Sequence, residues 1–252
     1  CSSDLAYGGA TNNGTIFKID NMGVESVVYS FTGNNDGANP RGSLMQASDG
    51  NLYGTVAKNG RYNYGAIFMY SPTNALESTI YNFQGSSKNG DGAGPIGSLI
   101  QGFDGNLYGT TYFGGANNKG SVFHVNLNGT TNKVIYRFQG TSNNPNLMPN
   151  ALVQANDGNL YGTTYFGGTN DNGSVFRIDL NGVESTIYAF KGGNDGTNPS
   201  AALIQASDGN FYGTTYSGGS NGAGTVFRID LNGVESTIYA FKGGNDGTNP
   251  SA

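Results

Sequence analysis

A unit of about fifty residues is written five times along the chain, and a period of that length constrains the fold more than any other feature. Its tracer is Gly-x-x-Phe, at Gly14–Phe17, Gly65–Phe68, Gly120–Phe123, Gly173–Phe176 and Gly224–Phe227, in steps of 51, 55, 53 and 51 residues. Such periods belong to arrays, solenoids and propellers. One supersecondary unit cannot bury its apolar faces alone, so neighbouring units cover them.

The fourth full unit shows the strands. Ala202–Ser207 is a short apolar run, strand a. Asp208-Gly209 marks a tight hairpin, since both positions tolerate positive φ. Asn210–Thr215 returns as strand b, Tyr216–Ala223 is a Gly-rich loop, and Gly224–Asp230 alternates as strand c. Leu231-Asn232-Gly233 turns the chain again. Val234–Phe241 is strand d, with Val234, Thr237 or Ile238, Tyr239 and Phe241 as candidates for buried faces, and a polar loop, Lys242–Pro250, follows. Four strands joined by short turns make an antiparallel meander, and no helical period between them supports a parallel βαβ unit. The reading is all-β, a β-propeller of about five four-stranded antiparallel blades, the first and last incomplete. One repeat domain is expected over 1–252, in units 1–42 (partial), 43–97, 98–150, 151–201 and 202–252.

Composition agrees with packed strands. The 43 glycines fall in register between aromatic runs supplied by 16 Tyr and 14 Phe, as turns fall between strands. A net charge of −5 with no Lys/Arg cluster argues against nucleic acid, whose phosphates need a basic footprint. No run approaches the ~18 apolar residues of a membrane span. The single cysteine, Cys1, leaves no disulfide framework and no Cys/His zinc spacing. Cys1-Ser2-Ser3-Asp4 fits a mature bacterial lipoprotein carrying lipid on Cys1, as well as a plain start to the numbering.

A hairpin motif recurs at Asp49–Thr55, Asp104–Thr110, Asp157–Thr163 and Asp208–Thr214, and its aspartates read as turn formers. Tyr53, Tyr108, Tyr161 and Tyr212 are expected to pack between blades, as are Phe31, Phe83, Phe138, Phe190 and Phe241. Gln46, Gln101, Gln154 and Gln205 lie on the inner strand, where a polar ring around channel water and a structural role are both open. Glu25, Glu77, Glu184 and Glu235 read as solvated ends of strand d. His124 reads as a surface substitution where other repeats carry Arg177 or Arg228.

The string Asp-Gly-Asn-Leu-Tyr-Gly-Thr-Thr, then Gly-Gly, Gly-Thr/Ser-Val-Phe, Tyr-x-Phe and Asp-Gly-x-Asn-Pro resembles the GloVer (Gloeo/Verruco) tandem repeat of exported bacterial proteins. The resemblance covers nearly the whole chain. It implies a surface or secreted β-propeller with no established activity and no catalytic residues to carry over. Two stretches depart from it, Ala57–Gly60 and Asn144–Pro149.

The first unit lacks strand a, the last stops before another begins, and residues 180–201 and 231–252 are identical. Three readings of closure stand: a longer natural chain, a reduced blade with Cys1–Leu5 as a short edge, or a blade completed by another subunit through strand addition.

In a meander the tight a–b and c–d turns share one face and the long b–c and d–a loops share the other. Binding residues concentrate on loops held by a rigid scaffold. Tyr112, Tyr165 and Tyr216 begin the b–c loops and offer apolar platforms. Asn198, Asn249, Asp195 and Asp246 of the d–a loops offer donors and acceptors to hydroxyls, though turns favour the same residues. The expected function is a non-catalytic module, extracellular or at the cell surface, that binds glycan. The alternative is a subunit that assembles into a filament through its open blade. No nucleophile with an evident base appears, so no enzyme is expected. No cofactor is expected either. Calcium is a further option but not the favoured one: Asp36, Asp91, Asp195 and Asp246 could each supply one oxygen, and Ca²⁺ prefers several acidic ligands.

Overall fold

A computed structural model describes residues 2–85, 90–115, 118–139 and 147–251. It holds five antiparallel sheets. The first contains β1 (Ser2–Leu5), β2 (Thr15–Ile19) and β3 (Glu25–Ser30), in that order. The second contains β4 (Ala38–Pro40), β5 (Met45–Gln46), β6 (Leu52–Lys58), β7 (Ala66–Ser71) and β8 (Leu76–Asn82), with β4 and β5 both on β6. The third runs β9 (Ile100–Gln101), β10 (Leu107–Thr111), β11 (Ser121–Val125) and β12 (Asn132–Arg137). The fourth runs β13 (Val153–Gln154), β14 (Leu160–Thr164), β15 (Ser174–Ile178) and β16 (Glu184–Ala189). The fifth repeats the second: β17 (Thr197–Pro199) and β18 (Ile204–Gln205) both pair with β19 (Phe211–Ser217), followed by β20 (Thr225–Ile229) and β21 (Glu235–Ala240). Among the described residues there is no α-helix, and two single 3-10 turns occur, at Gly193–Asp195 and Gly244–Asp246.

Strand a is shorter than its apolar run suggests. In the fifth sheet it is two fragments on one partner, Thr197↔Ser217 with Pro199↔Thr215, and Ile204↔Tyr212 with Gln205↔Phe211. The proline of the Asn-Pro pair has no N–H to donate, which suits a frayed edge strand. In the first sheet β1 takes the place of strand b, with Ser3 opposite Phe17 where Gly54 stands opposite Phe68.

Two recurring glycines have a steric cause. Strand b sets Gly54, Gly109, Gly162 and Gly213 opposite the strand c phenylalanine, whose ring lies on the bare backbone. A Cβ on Gly109 would come within 2.7 Å of the Phe123 ring. The tracer glycine before strand c is left-handed, φ +98° at Gly224, and a side chain there would meet Thr215 O and the Pro250 ring. Its carbonyl accepts the N–H of the strand d phenylalanine, Phe241, at 3.0 Å.

Every c–d ladder carries a register shift just before that phenylalanine, as between Val175 and Phe176. The bulge adds one residue to strand d and aims the following Tyr-x-Phe at the next sheet. Phe31 meets Phe68, Phe83 meets Phe123, and Phe190 meets Phe227, edge to face with centroids 5.0–5.1 Å apart. Tyr29, Tyr81, Tyr188 and Tyr239 of strand d each back their own phenylalanine the same way, as Tyr188 does Phe190 at 5.2 Å. Such pairs contribute about 0.5–1.5 kcal/mol beyond their buried area. The chain divides into two compact units, Cys1–Arg137 and Phe138–Ala252. In the first, Phe31, Phe68 and Val56 form one core cluster, and Phe83, Leu107 and Phe123 another. In the second, Phe190, Phe211 and Phe227 do the same. Of the strand d positions expected to be buried, Val234, Thr237, Ile238 and Tyr239 are exposed and Phe241 is half-buried, and Val24 and Val183, the equivalents of Val234, are exposed too.

Candidate functional site

The recurring aspartates are occupied by the fold. In the a–b hairpin only the glycine is left-handed, as at Gly209 with φ +82°, and Gly209 N–H donates to Ala206 O at 3.0 Å. The loop is therefore a three-residue turn with a glycine bulge, not the two-residue turn expected from Asp-Gly. Asp208 is free to act through its side chain: Oδ2 accepts Asn210 Nδ2 and the Tyr212 hydroxyl, both at 2.8 Å, and Oδ1 accepts Asn210 N–H at 3.0 Å. Asp49, Asp104 and Asp157 repeat this latch. At Asp157 burial pushes the carboxyl up, but the bonds from Asn159 and Tyr161 outweigh it and hold it below the usual range. Burial, together with Asp157, pushes the Tyr161 phenol up to about 12.

The d–a loop aspartates form a second latch. Asp195 Oδ2 accepts the Tyr188 hydroxyl at 2.7 Å and Lys191 N–H at 2.9 Å, while its Oδ1 is buried without a partner. Asp246 accepts Tyr239 at 2.8 Å and Lys242 N–H at 2.7 Å. Asp36 takes the Tyr29 hydroxyl and three donors from Thr32 and Asn34. The calcium reading meets these same oxygens, and among the described residues no three His, Cys, Asp or Glu gather to hold a metal.

Asn198 and Asn249 are left-handed, φ 57° and 55°, and tie the d–a loops to Tyr165, just past β14, and to Tyr216, which lies inside β19 and not in the b–c loop where it was expected. Asn198 Nδ2 donates to Tyr165 O at 3.0 Å, and Asn249 Nδ2 to Tyr216 O at 2.9 Å. The carbonyls they hold belong to candidate tyrosines. Tyr165 and Tyr216 come together, ring centroids 6.3 Å apart at 54°, and Tyr216 is 37% exposed. Tyr112, in the other unit, stacks on Phe113 at 5.5 Å. Cys1 lies outside the described residues, as do 86–89, 116–117 and 140–146 of the long loops and of the departing Asn144–Pro149 stretch.

The glutamines take the structural role that was open to them, and two other expectations change. The glutamines clamp hairpins: Gln101 Nε2 donates to Gly105 O at 2.9 Å and its Oε1 accepts Ser48 N–H of the neighbouring sheet at 2.8 Å. Gln205 does the same with Gly209 and Asn156. His124 is half-buried and stacked on Tyr108 at 5.6 Å, since c pairs with b at that register, and burial lowers its pKa. Glu77 is not a solvated strand end. It lies against Tyr29 and Asp36 of the preceding sheet, and burial, with the Asp36 charge added and bonds from Tyr29 and Thr79 opposing, raises its pKa to about 7. Glu235 stands likewise beside Tyr188 and Asp195, its pKa raised chiefly by burial.

At the third sheet this junction is rebuilt. The strand d positions of Glu77 and Ser78, and of Asn82, hold Asn132, Lys133 and Arg137. A cavity of about 330 Å³ opens there, facing Tyr81 and Asp91. Nothing in the sequence flagged it, although the break from Glu-Ser-Thr-Ile-Tyr to Asn132-Lys133-Val134-Ile135-Tyr136 was readable by aligning repeats.

Antiparallel four-stranded sheets repeated along one chain are the mark of a β-propeller, and solved structures agree. A crystal structure of a nidogen/laminin complex is similar with a TM-score of 0.59 at 13% identity, covering 95% of this chain and 79% of that one. TolB from Acinetobacter baumannii gives 0.57 at 19% identity, covering 94% of this chain, which spans 52% of the TolB chain. A gluconolactonase from Xanthomonas campestris gives 0.56 at 13% identity, covering 88% and 67%. At these identities the likeness is one of fold, the propeller fold. The sequence matches the Gloeobacter/Verrucomicrobia repeat over residues 5–148 and 142–252, and the chain belongs to that family. No curated protein matches it. Among the described residues no helix is long and apolar enough to cross a membrane.

Proposed function

We propose that this propeller is a non-catalytic binding module, exported and displayed outside the cell, that takes a saccharide on the face of its b–c and d–a loops. The Tyr165–Tyr216 pair carries the reading. A sugar's apolar face stacks on an exposed aromatic ring whose support is stiff, and Tyr needs little ordering to serve. Here the supports are the carboxamides of Asn198 and Asn249, bonded to the tyrosines' own carbonyls. Asp195 and Asp246 hold the adjoining loops, so the rings meet the ligand and the Asn and Asp residues position them. Tyr112 stacked on Phe113 offers the same aromatic chemistry within its own unit. A broad glycan array tests the proposal. Saturable binding to one saccharide class supports it, and silence across the array overturns it.

A second reading, self-assembly by strand addition, draws on the first sheet, which has three strands with β1 at its edge. Light scattering at high concentration decides it: growing particles support it and a strict monomer contradicts it.

A further inference from the structure

At two junctions of this propeller a protein carboxylate fills the space between neighbouring sheets. Glu77 occupies it beside Tyr29 and Asp36, and Glu235 beside Tyr188 and Asp195. At the junction of the second and third sheets the same strand position is Asn132, shorter and neutral. The Tyr–Asp half is retained there, with Tyr81 O–H donating to Asp91 Oδ2 at 2.6 Å and Gln84 N–H donating to Asp91 Oδ1 at 3.0 Å. What replaces the glutamate carboxylate is open volume, about 330 Å³, the low end of small-ligand pockets and ample for one sugar ring. Charge changes with shape. Ser78 and Ser236 give way to Lys133, and Asn82 and Ala240 to Arg137, so two cations line a space that elsewhere receives an anion. Arg137 is held in place by Nε donating to Gly90 O at 3.1 Å.

We infer that this cavity is a binding site for a hydroxylated carboxylate of monosaccharide size, of the hexuronic acid class. The ligand's carboxylate takes the place of the missing glutamate beside Lys133 and Arg137, and its ring hydroxyls face Tyr81 and Asp91. Two cations with Tyr81 and Asp91 opposite suit a molecule anionic at one end and rich in donors elsewhere. The site lies between strands and does not involve Tyr165 or Tyr216, so it stands whether or not the loop face binds saccharide.

Calorimetric titration of the full chain with glucuronate, glucose and acetate tests the inference. Saturable binding of glucuronate, at least tenfold tighter than either control, is expected, since each control lacks one half of the recognition. Asn132→Glu restores the residue of the other repeats and should abolish binding while leaving the melting temperature unchanged or higher. Lys133→Ser should weaken it about tenfold. Tyr165→Ala/Tyr216→Ala should leave it unchanged, which separates this site from the loop face. Failure of glucuronate to bind, equal binding of acetate or glucose, or undiminished binding by a folded Asn132→Glu protein would each overturn the inference.

Discussion

Residues in this chain are constrained by what lies opposite them. Gly109 faces the Phe123 ring and Gly105 sits in an open turn with nothing within 4 Å of a built Cβ. Gly109→Ala should therefore cost about 1–3 kcal/mol through overpacking, and Gly105→Ala about 1 kcal/mol from its positive φ alone, by urea denaturation. Equal costs would refute the ring-on-backbone account. Glu77 makes a prediction with a definite sign. Its pKa is raised from 4.5 to about 7 in the folded state, which therefore holds a proton that the unfolded chain has released. Its contribution is fully present below the unfolded value and lost as pH rises through the folded one. Glu77→Gln should flatten that fall between pH 4.5 and 7 and be more stable at pH 8 by about 1–2 kcal/mol, allowing for partial screening. A variant with the wild-type pH profile would show that burial does not act on this carboxyl. Recurrence made Glu77 look solvent-facing in the sequence. Its burial comes from Tyr29 and Asp36, some forty residues away on another sheet, and no local pattern reports that.

At the scale of elements, the hairpins were legible and their internal wiring was not. Asp-Gly-Asn marks each turn at the right place, yet only Gly209 takes positive φ, and the aspartate spends its carboxylate on Asn210 and Tyr212. A tyrosine that reads as interblade packing is also a latch. Tyr161→Phe keeps the packing and removes the hydroxyl that reaches Asp157 at 2.9 Å. It should cost about 1 kcal/mol at pH 7, measured by chemical denaturation, and zero cost would demote the latch to coincidence. Strand d could not be assigned a buried face from sequence because the bulge beside Phe227 breaks its alternation, which left Thr237 and Ile238 indistinguishable. Strand a read as six residues because apolar runs and paired strands look alike. Only Ile204 and Gln205 of that run pair, and the earlier fragment Thr197–Pro199 hid in a segment that looked like loop.

For the whole molecule, the repeat period and the four-strand meander were enough to call a β-propeller, but not how far each sheet covers the one before it. The reason shows in β16 and β21, which share the sequence Glu-Ser-Thr-Ile-Tyr-Ala. The c–d turn of the fifth sheet lies over Ile187 of β16, close enough that a Cβ on Gly233 would come within 2.5 Å of Ile187 O. Its counterpart Ile238 in β21 is 54% exposed, and Phe241 is only half-buried where Phe190 is fully covered. Identical residues should thus exchange amide hydrogens at different rates, β21 faster than β16. Equal protection would mean that β21 is covered in solution, as assembly through that sheet requires. Aligning the repeats marks Tyr165 and Tyr216 as equivalent positions; that Asn198 and Asn249 hold the carbonyls of those tyrosines was not legible, since each bond joins residues 33 apart. The most direct test of the account is titration of the saccharide class found on the array against Tyr165→Ala/Tyr216→Ala and Asp246→Asn proteins. The account predicts that the tyrosine pair is required and that the Asp246 variant still binds. Binding that survives loss of both rings, or that disappears with the Asp246 carboxylate in a folded protein, would contradict it.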